Sequence, residues 1–561
     1  MEEMKYKMTA NIIQQIIKIH EDYWDDCRSD LYKYKQAYET RFWDKSTQGQ
    51  MQTYVQTADA YGYIESYIAS LFARNPGVIV KNGIRGRGDV KIAQHIANDF
   101  LAYQRQQIEN ASRMALIYPM SFIKMMPTGR EDIMKRIDTV AIPPWEVILD
   151  REARRYEDQR YVGHKYYMTL IDARHKFGDK KYHPMKKEEY FDKYNSEHYH
   201  DSAAEISDQN FDFYKYIEVV EIYDLHTKLL HFWSPNWQDG NKMLLTEEIP
   251  FRDANDDPVA PIVPLYFNRL PDKPLDGYSA MRRIYDQIYE TNMVRTYQAN
   301  AVRKASRQYL VKKGVLDEEQ MAQICSGIDG LFVEIDEENL GGVMTALPQN
   351  PTPPELEFYV NQVQRDKDKG SILAPFTRGE SSRTSATEAA ALAAYTSSEI
   401  GRLARERDAT IENIARVYLS MLSLYVEEDN VRQIVVIDNE PQIVSARMLE
   451  ENFHIYAMDQ ASTPLSESVK KREFIQSIPM LQQLGVPQKD LLSELVRSLG
   501  LPEDFVSAAE AAKEQAVSAA KARASAEAVG ADAAEQAGGL VSTPQGPANL
   551  QGVLPGAQSI S

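Results

Sequence analysis

A chain of 561 residues, 43% hydrophobic and 26% charged, is long enough for about two to four structural units, and no window approaches the roughly eighteen apolar residues that span a membrane. A formal charge of -18 excludes a surface that grips nucleic acid by neutralising phosphates, though not a wall past which DNA slides with little adhesion. Two cysteines, Cys27 and Cys325, are too few for a disulfide scaffold or a cysteine metal centre, and residues 1–20 lack the apolar core of a secretion signal, which together fit folding in a reducing cytoplasm.

In chain order, Ile12, Ile16, Ile19 and Tyr23 recur at helical spacing, continued by Leu31, Tyr34, Tyr38 and Phe42. A second helix is expected over 57–73, stopped by Asn75-Pro76-Gly77. A third is expected over 90–116, leading through Tyr118-Pro119 to a short strand over 122–126. From 137 to 267 the pattern changes to strands and turns, with strands at 216–223 and 229–233. A short helix over 169–177, ended by Gly178, and a polar excursion over 180–212 interrupt it.

A long helix follows Gly277 and runs over 278–307 without Gly or Pro, with Met281, Ile284, Tyr285 and Ile288 on one stripe. Then come a compact β-containing segment over 308–347, the prolines Pro351, Pro353 and Pro354, and a helix over 355–369. A Gly/Ser/Thr/Pro-rich loop over 370–385 leads to a helix over 387–425, with Gly401 as its weak point. Strands are expected at 433–437 and 453–456, and short helices over 466–520. The tail over 538–561 is Gly, Pro, Gln and Ser and buries too little to offset its ordering entropy, so disorder is expected there. The fold class is mixed α+β.

Catalytic signals are weak. Gly83 to Gly88 is glycine-rich, but it lacks the Gly-Lys-Ser/Thr ending of a P-loop and does not follow an expected strand, so it reads as a connecting loop. His183, His198, His200 and Asp201 fall in the polar excursion, where surface histidines are commoner than a metal site. No Gly-x-Ser-x-Gly elbow or His-Glu-x-x-His stands in the chain.

Charge segregation is more informative. Between 276 and 313 lie Arg282, Arg283, Arg295, Arg303, Lys304, Arg307, Lys312 and Lys313, against Asp276, Asp286 and Glu290. From 314 to 338 no Lys or Arg occurs, while Asp317, Glu318, Glu319, Asp329, Glu334, Asp336, Glu337 and Glu338 do. Two readings stand: solvated faces, or complementarity between neighbouring copies in a head-to-tail ring. The loop over 370–385 also has two readings. It is an interhelical linker, or a projected loop whose Arg378, Arg383, Ser381, Ser382 and Thr384 touch a phosphate backbone transiently.

Three stretches together resemble the portal proteins of tailed bacteriophages. One is Ile142-Pro-Pro-Trp-Glu-Val-Ile-Leu-Asp150 followed by Asp158-Gln-Arg-Tyr-Val162 and Met168-Thr-Leu-Ile171. Another is Asn268 to Gly277 leading into the long helix with Gln287 and Asn292, and the third is Ala374 to Ala389. The resemblance covers residues 10–510.

It implies a mostly helical portal fold with a mixed β wing over 1–275, a stem helix over 276–307 and a small α/β clip over 308–354. A second stem helix over 355–369 and a tunnel loop over 370–386 follow. The remainder is a long kinked helix with wing and core strands over 387–465, a helical crown over 466–520 and a tail over 521–561. It implies a ring, usually of about twelve copies, at one capsid vertex, assembled in the host cytoplasm and acting as the channel for packaging and ejection of double-stranded DNA. The partners implied are the chain itself, the major capsid protein, the terminase large subunit and a head–tail adaptor, with no membrane, cofactor, metal or catalytic residue. Stem residues Arg295, Arg303, Lys304 and Arg307 then face a neighbour or DNA, and Glu334, Asp336, Glu337 and Glu338 belong to the clip. With no Walker motif here, the packaging motor is a separate partner. The rivals are another virion protein such as an adaptor, or a ligand-binding enzyme stacking a sugar on Trp233 and Trp237.

Overall fold

The computed structural model describes residues 7–43, 54–83, 89–130, 132, 135–185, 215–252, 257–271, 276–305, 309–311, 313, 316–326, 344–346, 354–370, 386–428, 433–437, 440–449, 453–458 and 478. The chain divides into one compact unit over Met1–Ser466 and another over Glu467–Ser561, and the elements below belong to the first. The loop over 371–385, most of the acidic segment, nearly all of 466–520 and the tail lie outside the described residues.

Helix α1 (Ala10–Tyr38) starts at Thr9, whose hydroxyl accepts the Ile12 N–H at 3.4 Å. It buries Ile13, Ile16, Ile17, His20, Trp24, Leu31, Tyr34 and Ala37. Ile19, one of the residues at helical spacing, is 62% exposed, because Ile13 and Ile17 take the core-facing positions instead. Next come α2 (Asp59–Leu71), β1 (Val78–Asn82), α3 (Val90–Tyr103) and α4 (Arg105–Ile117). β1 corrects the reading of the glycine-rich run, since a strand does precede it. β1 pairs antiparallel with β14 (Phe453–Ala457), however, so no parallel strand-helix-strand unit forms around the glycines.

Strands β2 (Ser121–Pro127) and β3 (Ile137–Ile142) pair with β9 (Ile262–Leu265) in an antiparallel sheet of order β3-β2-β9. The expected single helix over 90–116 breaks at Gln104. That buried amide donates to Asp138 at 2.9 Å and accepts from the Thr139 hydroxyl at 2.7 Å, so its side chain is committed to β3. The second sheet is a meander of β4 (Val147–Leu149), β5 (Tyr161–Thr169), β6 (Tyr216–Asp224), β7 (Leu229–Trp233) and β8 (Leu245–Glu248). Between β5 and β6, α5 (Leu170–Phe177) is capped by the Thr169 hydroxyl and stopped by Gly178 at φ 85°, as its sequence predicts.

β6 is buried on both faces. One face joins the main core, while Val220 and Ile222 meet Ile13, Ile16 and Ile17 of α1 with Ile148 and Trp233. Trp233 is 4% exposed and its indole N–H donates to the Gly240 carbonyl at 2.7 Å. It is therefore core and offers no stacking platform. Trp237 is half-buried, bridged to Tyr182 and covered by the Lys180 ammonium at 4.8 Å from its ring.

After β9 the chain forms α6 (Tyr285–Ala305), β10 (Tyr309–Val311), α7 (Glu318–Ser326), β11 (Met344–Ala346) and α8 (Pro354–Gly370). Helix α9 (Ala386–Glu428) passes through Gly401 unbroken. The hairpin β12 (Gln433–Ile437)–β13 (Glu440–Val444) and the short α10 (Ala446–Leu449) precede β14. Tyr418 of α9 stacks on Phe100 of α3 with centroids 3.7 Å apart, tying the long helix to the N-terminal helices.

His20 makes this packing pH-sensitive. It is 3% exposed, hydrogen-bonds the Trp145 carbonyl through Nε2 at 2.8 Å, and burial pulls its pKa down to about 4. A folded-state pKa below the unfolded value near 6.5 means the neutral form is stabilising above pH 6.5 and that contribution fades as pH falls toward 4. At pH 5 the loss is about 2 kcal/mol. Urea unfolding at pH 7 and pH 5 should therefore differ by about 2 kcal/mol less in His20→Gln than in the parent.

Candidate functional site on the helix pair

Of Arg295, Arg303, Lys304 and Arg307, the first three are described, all on α6, which packs against α8. α6 is entered through a tight passage in which Tyr278 N–H donates to the Asn268 carbonyl at 2.8 Å and Ala280 N–H to the Leu116 carbonyl at 3.0 Å. The Ser279 hydroxyl reaches the Ile117 carbonyl at 2.6 Å. Met281, Ile284 and Ile288 are then buried, as their spacing predicts.

One turn further the same stripe turns polar. Asn292 and Thr296 are 0% and 1% exposed. They hold the chain ahead of α2: Asn292 Oδ1 accepts the Thr57 N–H at 2.9 Å and the Thr57 hydroxyl at 3.0 Å, and Thr296 Oγ1 accepts the Val55 N–H at 2.9 Å. These side chains replace the backbone partners that an irregular segment lacks. α8 is fixed to the same region, with Lys367 donating to Asp59 at 2.8 Å and accepting from the Tyr63 hydroxyl at its carbonyl, 3.3 Å away.

Past Thr296 no described α6 side chain is buried. Tyr289 and Tyr297 of α6 and Phe358 and Tyr359 of α8 are exposed, Phe358 by 70%, and Arg295 is exposed among the residues between the tyrosines. Tyr289 lies beside Phe42 and Trp43, with ring centroids 5.8 and 6.3 Å away, while Tyr297, Phe358 and Tyr359 leave apolar surface on the two helices.

The remaining sequence-predicted residues are not brought together. Arg303 and Lys304 lie in the last turn of α6, where only the backbone is described. Arg307, Glu334, Asp336, Glu337 and Glu338 lie outside the described residues, as do Arg378, Ser381, Ser382, Arg383 and Thr384. Among the histidines, His183 is exposed and His198 and His200 lie outside the described residues, with Asp201.

Sequence reasoning missed Thr296 and Lys367, which no hydrophobic period marks. It did quote the stretch around Asp150, and the structure gives that stretch a physical role. Asp150 is 2% exposed and receives Arg160 through both Nε and Nη2, the latter at 3.0 Å, with the Glu152 N–H at 3.2 Å. Gln159 exchanges two hydrogen bonds with the Asp150 backbone, at 2.7 and 3.1 Å. Burial raises the Asp150 pKa, but the Arg160 and backbone hydrogen bonds outweigh it and hold the carboxyl below its usual range. The Asp150 and Asp158-Gln-Arg segments are thus two sides of one β4–β5 corner.

The described elements form a mixed helical and antiparallel core with two tethered helices that carry exposed aromatic residues. Residues 39–515 match the family model described as Phage SU10 portal protein, and the chain belongs to that family of tailed-phage portal proteins. The family is structural and not one of enzymes. No curated protein matches the chain. No described helix is long and apolar enough to cross a membrane.

Proposed function

We propose that the chain assembles into a closed ring at one capsid vertex, through which double-stranded DNA is packaged and later ejected. The family match over 39–515 carries this reading. α6 and α8 serve as the stem, residues 308–354 as the clip that receives the terminase large subunit and then the head–tail adaptor, and 370–386 as the tunnel loop. The wing takes 1–275, the long helix and its strands 387–465, and the crown 466–520, with the major capsid protein around the ring. The exposed Tyr297, Phe358, Tyr359 and Arg295 on these helices support side-by-side packing of copies.

Mass determination and negative-stain imaging of the purified full chain test the reading. A ring of about twelve copies with a central hole is the expected result, since head-to-tail interfaces that close make rings. A compact monomer or dimer that binds a sugar or turns over a substrate overturns it. Charge reversal at Arg295→Glu and Arg303→Glu together should weaken assembly about tenfold, read as the concentration at which rings appear. Unchanged assembly and packaging would remove these arginines from the interface and the channel.

A further inference from the structure

An unassigned cleft of about 400 Å³ opens where the β4–β5 corner meets the end of β9 and the middle of α9, away from the stem helices. It is lined by Arg154, Arg155 and Arg269, with Tyr266, Asn413 and Glu157 among its other walls. The corner carries four arginines within ten residues, and their fates differ. Arg160 is held by Asp150, and Arg151 by Asp276 while its guanidinium stacks 3.8 Å from the centroid of Tyr23. Arg154 and Arg155 are exposed and have no ion-pair partner among the described residues.

The opposite wall is also made of donors. Arg269 bonds Glu406 at 3.0 Å and lies 4.8 Å above the Tyr266 ring. Asn413 accepts from Arg416 at 2.6 Å through Oδ1, leaving its NH2 group as a donor. Tyr266 is 4% exposed, yet its hydroxyl has no hydrogen-bond partner. Burial raises its pKa, so the hydroxyl stays protonated and able to donate. In a chain of net charge -18, the three guanidinium groups of the cleft, Arg269 being paired with Glu406, still outnumber Glu406 and the lining carboxylate Glu157.

We infer that this cleft binds a phosphate group, with Arg154, Arg155 and Arg269 as the charged clamp and the Asn413 amide as a neutral donor. Planar guanidinium forks match a tetrahedral oxyanion through paired N–H bonds, and an amide donor adds to its coordination. The cleft exceeds one phosphate in size, leaving room for the sugar of an ester or of a DNA strand. Acidic surroundings disfavour general adhesion of DNA, so binding here is local and salt-sensitive. This site stands independently of the ring reading.

Inorganic phosphate titrated into the full-length protein, followed by calorimetry, is the first test. The expected dissociation constant is on the order of 1 mM, rising at least about tenfold in the Arg154→Ala/Arg155→Ala double variant. Asn413→Ala should weaken binding about threefold, because it removes one neutral donor of the cleft. A short duplex oligonucleotide that phosphate displaces, and that the double variant fails to bind, identifies the DNA backbone as the source. Phosphate binding without competition from the duplex identifies a free phosphate or phosphate ester. Absence of phosphate binding, equal binding by the double variant, or acetate binding as tightly as phosphate overturns the inference. Oligomer mass measured on the same samples keeps a failure of this site distinct from a failure of the ring.

Discussion

Gly277→Ala is expected to prevent folding, or to destabilise the chain by upwards of about 3 kcal/mol. A Cβ built on Gly277 falls 1.5 Å from the Pro119 carbonyl oxygen and 2.5 Å from its carbonyl carbon. A Cβ has no rotamer that relieves the overlap, so one of two backbones must move. Neither is free to do so. The α6 side is held by the bonds of Tyr278, Ser279 and Ala280 to Asn268, Ile117 and Leu116, and Arg269 bridges Gly277 itself. Pro119 joins the buried end of α4 to β2, beside Met120 and Ser121 at 1% and 0% exposure. Soluble yield and urea midpoint of the variant measure the effect. Gly401→Ala is the control, because a Cβ there meets nothing within 4 Å and should stabilise α9 by about 0.5–1 kcal/mol. Equal behaviour of the two variants would refute the close-approach argument.

The second large effect lies between the two sheets. Lys124 of β2 projects into the five-stranded sheet and pairs with Glu221 of β6, the side chains being 6% and 5% exposed. Its ammonium also lies 3.0 Å from His164 Nδ1 and 5.2 Å from the centroid of Tyr166. The Tyr223 hydroxyl donates to Glu221 at 3.3 Å, and His164 Nε2 stands 3.8 Å from Glu146. Burial, and then the Lys124 charge, keep the His164 pKa well below its ordinary value, so the imidazole is neutral and its Nδ1 lone pair accepts from lysine.

Lys124→Met removes the cation and leaves Glu221 buried without compensation, at an expected cost of about 3–5 kcal/mol. Adding Glu221→Leu should recover at least half of that, because an apolar pair replaces an ion pair at little net cost. Urea unfolding of the four members of the cycle measures the coupling. Additive losses would show that the two side chains do not act as a pair.

Much of the local structure was legible in the sequence, for identifiable reasons. α5 was marked at both ends by Thr169 and Gly178, and β6 and β7 by apolar runs between turn residues, because capping and strand burial leave short-range patterns. The start of α6 was read from Met281, Ile284 and Ile288. The helix itself was read on to 307, but its buried face beyond Ile288 was not, since the stripe changes to Asn292 and Thr296, and polar side chains reveal burial only through partners 235 and 241 residues away. α1 shows the same limit in another form: the order Ile12, Ile16, Ile19 fits a helix, but the face that met the sheet was that of Ile13 and Ile17. β1 escaped notice because its partner β14 lies near residue 455 and its five residues carry two buried valines.

What the sequence by itself determined was the class of the protein. Its helix-then-strand order, charge segregation and loosely familiar stretches around Asp150 and Gly277 pointed to a phage portal protein, and the family match over 39–515 agrees. Tertiary structure alone decided why those stretches have the residues they do. Asp150, Gln159 and Arg160 close one corner, Gly277 admits the Pro119 carbonyl, and Lys124 meets Glu221 across two sheets. It also separated four arginines of one corner into two that hold the fold and two left to face a cleft. The physical reason is that charge and hydrogen-bond capacity are written in single residues, while whether they are spent or free depends on partners that only folding brings within 3 Å.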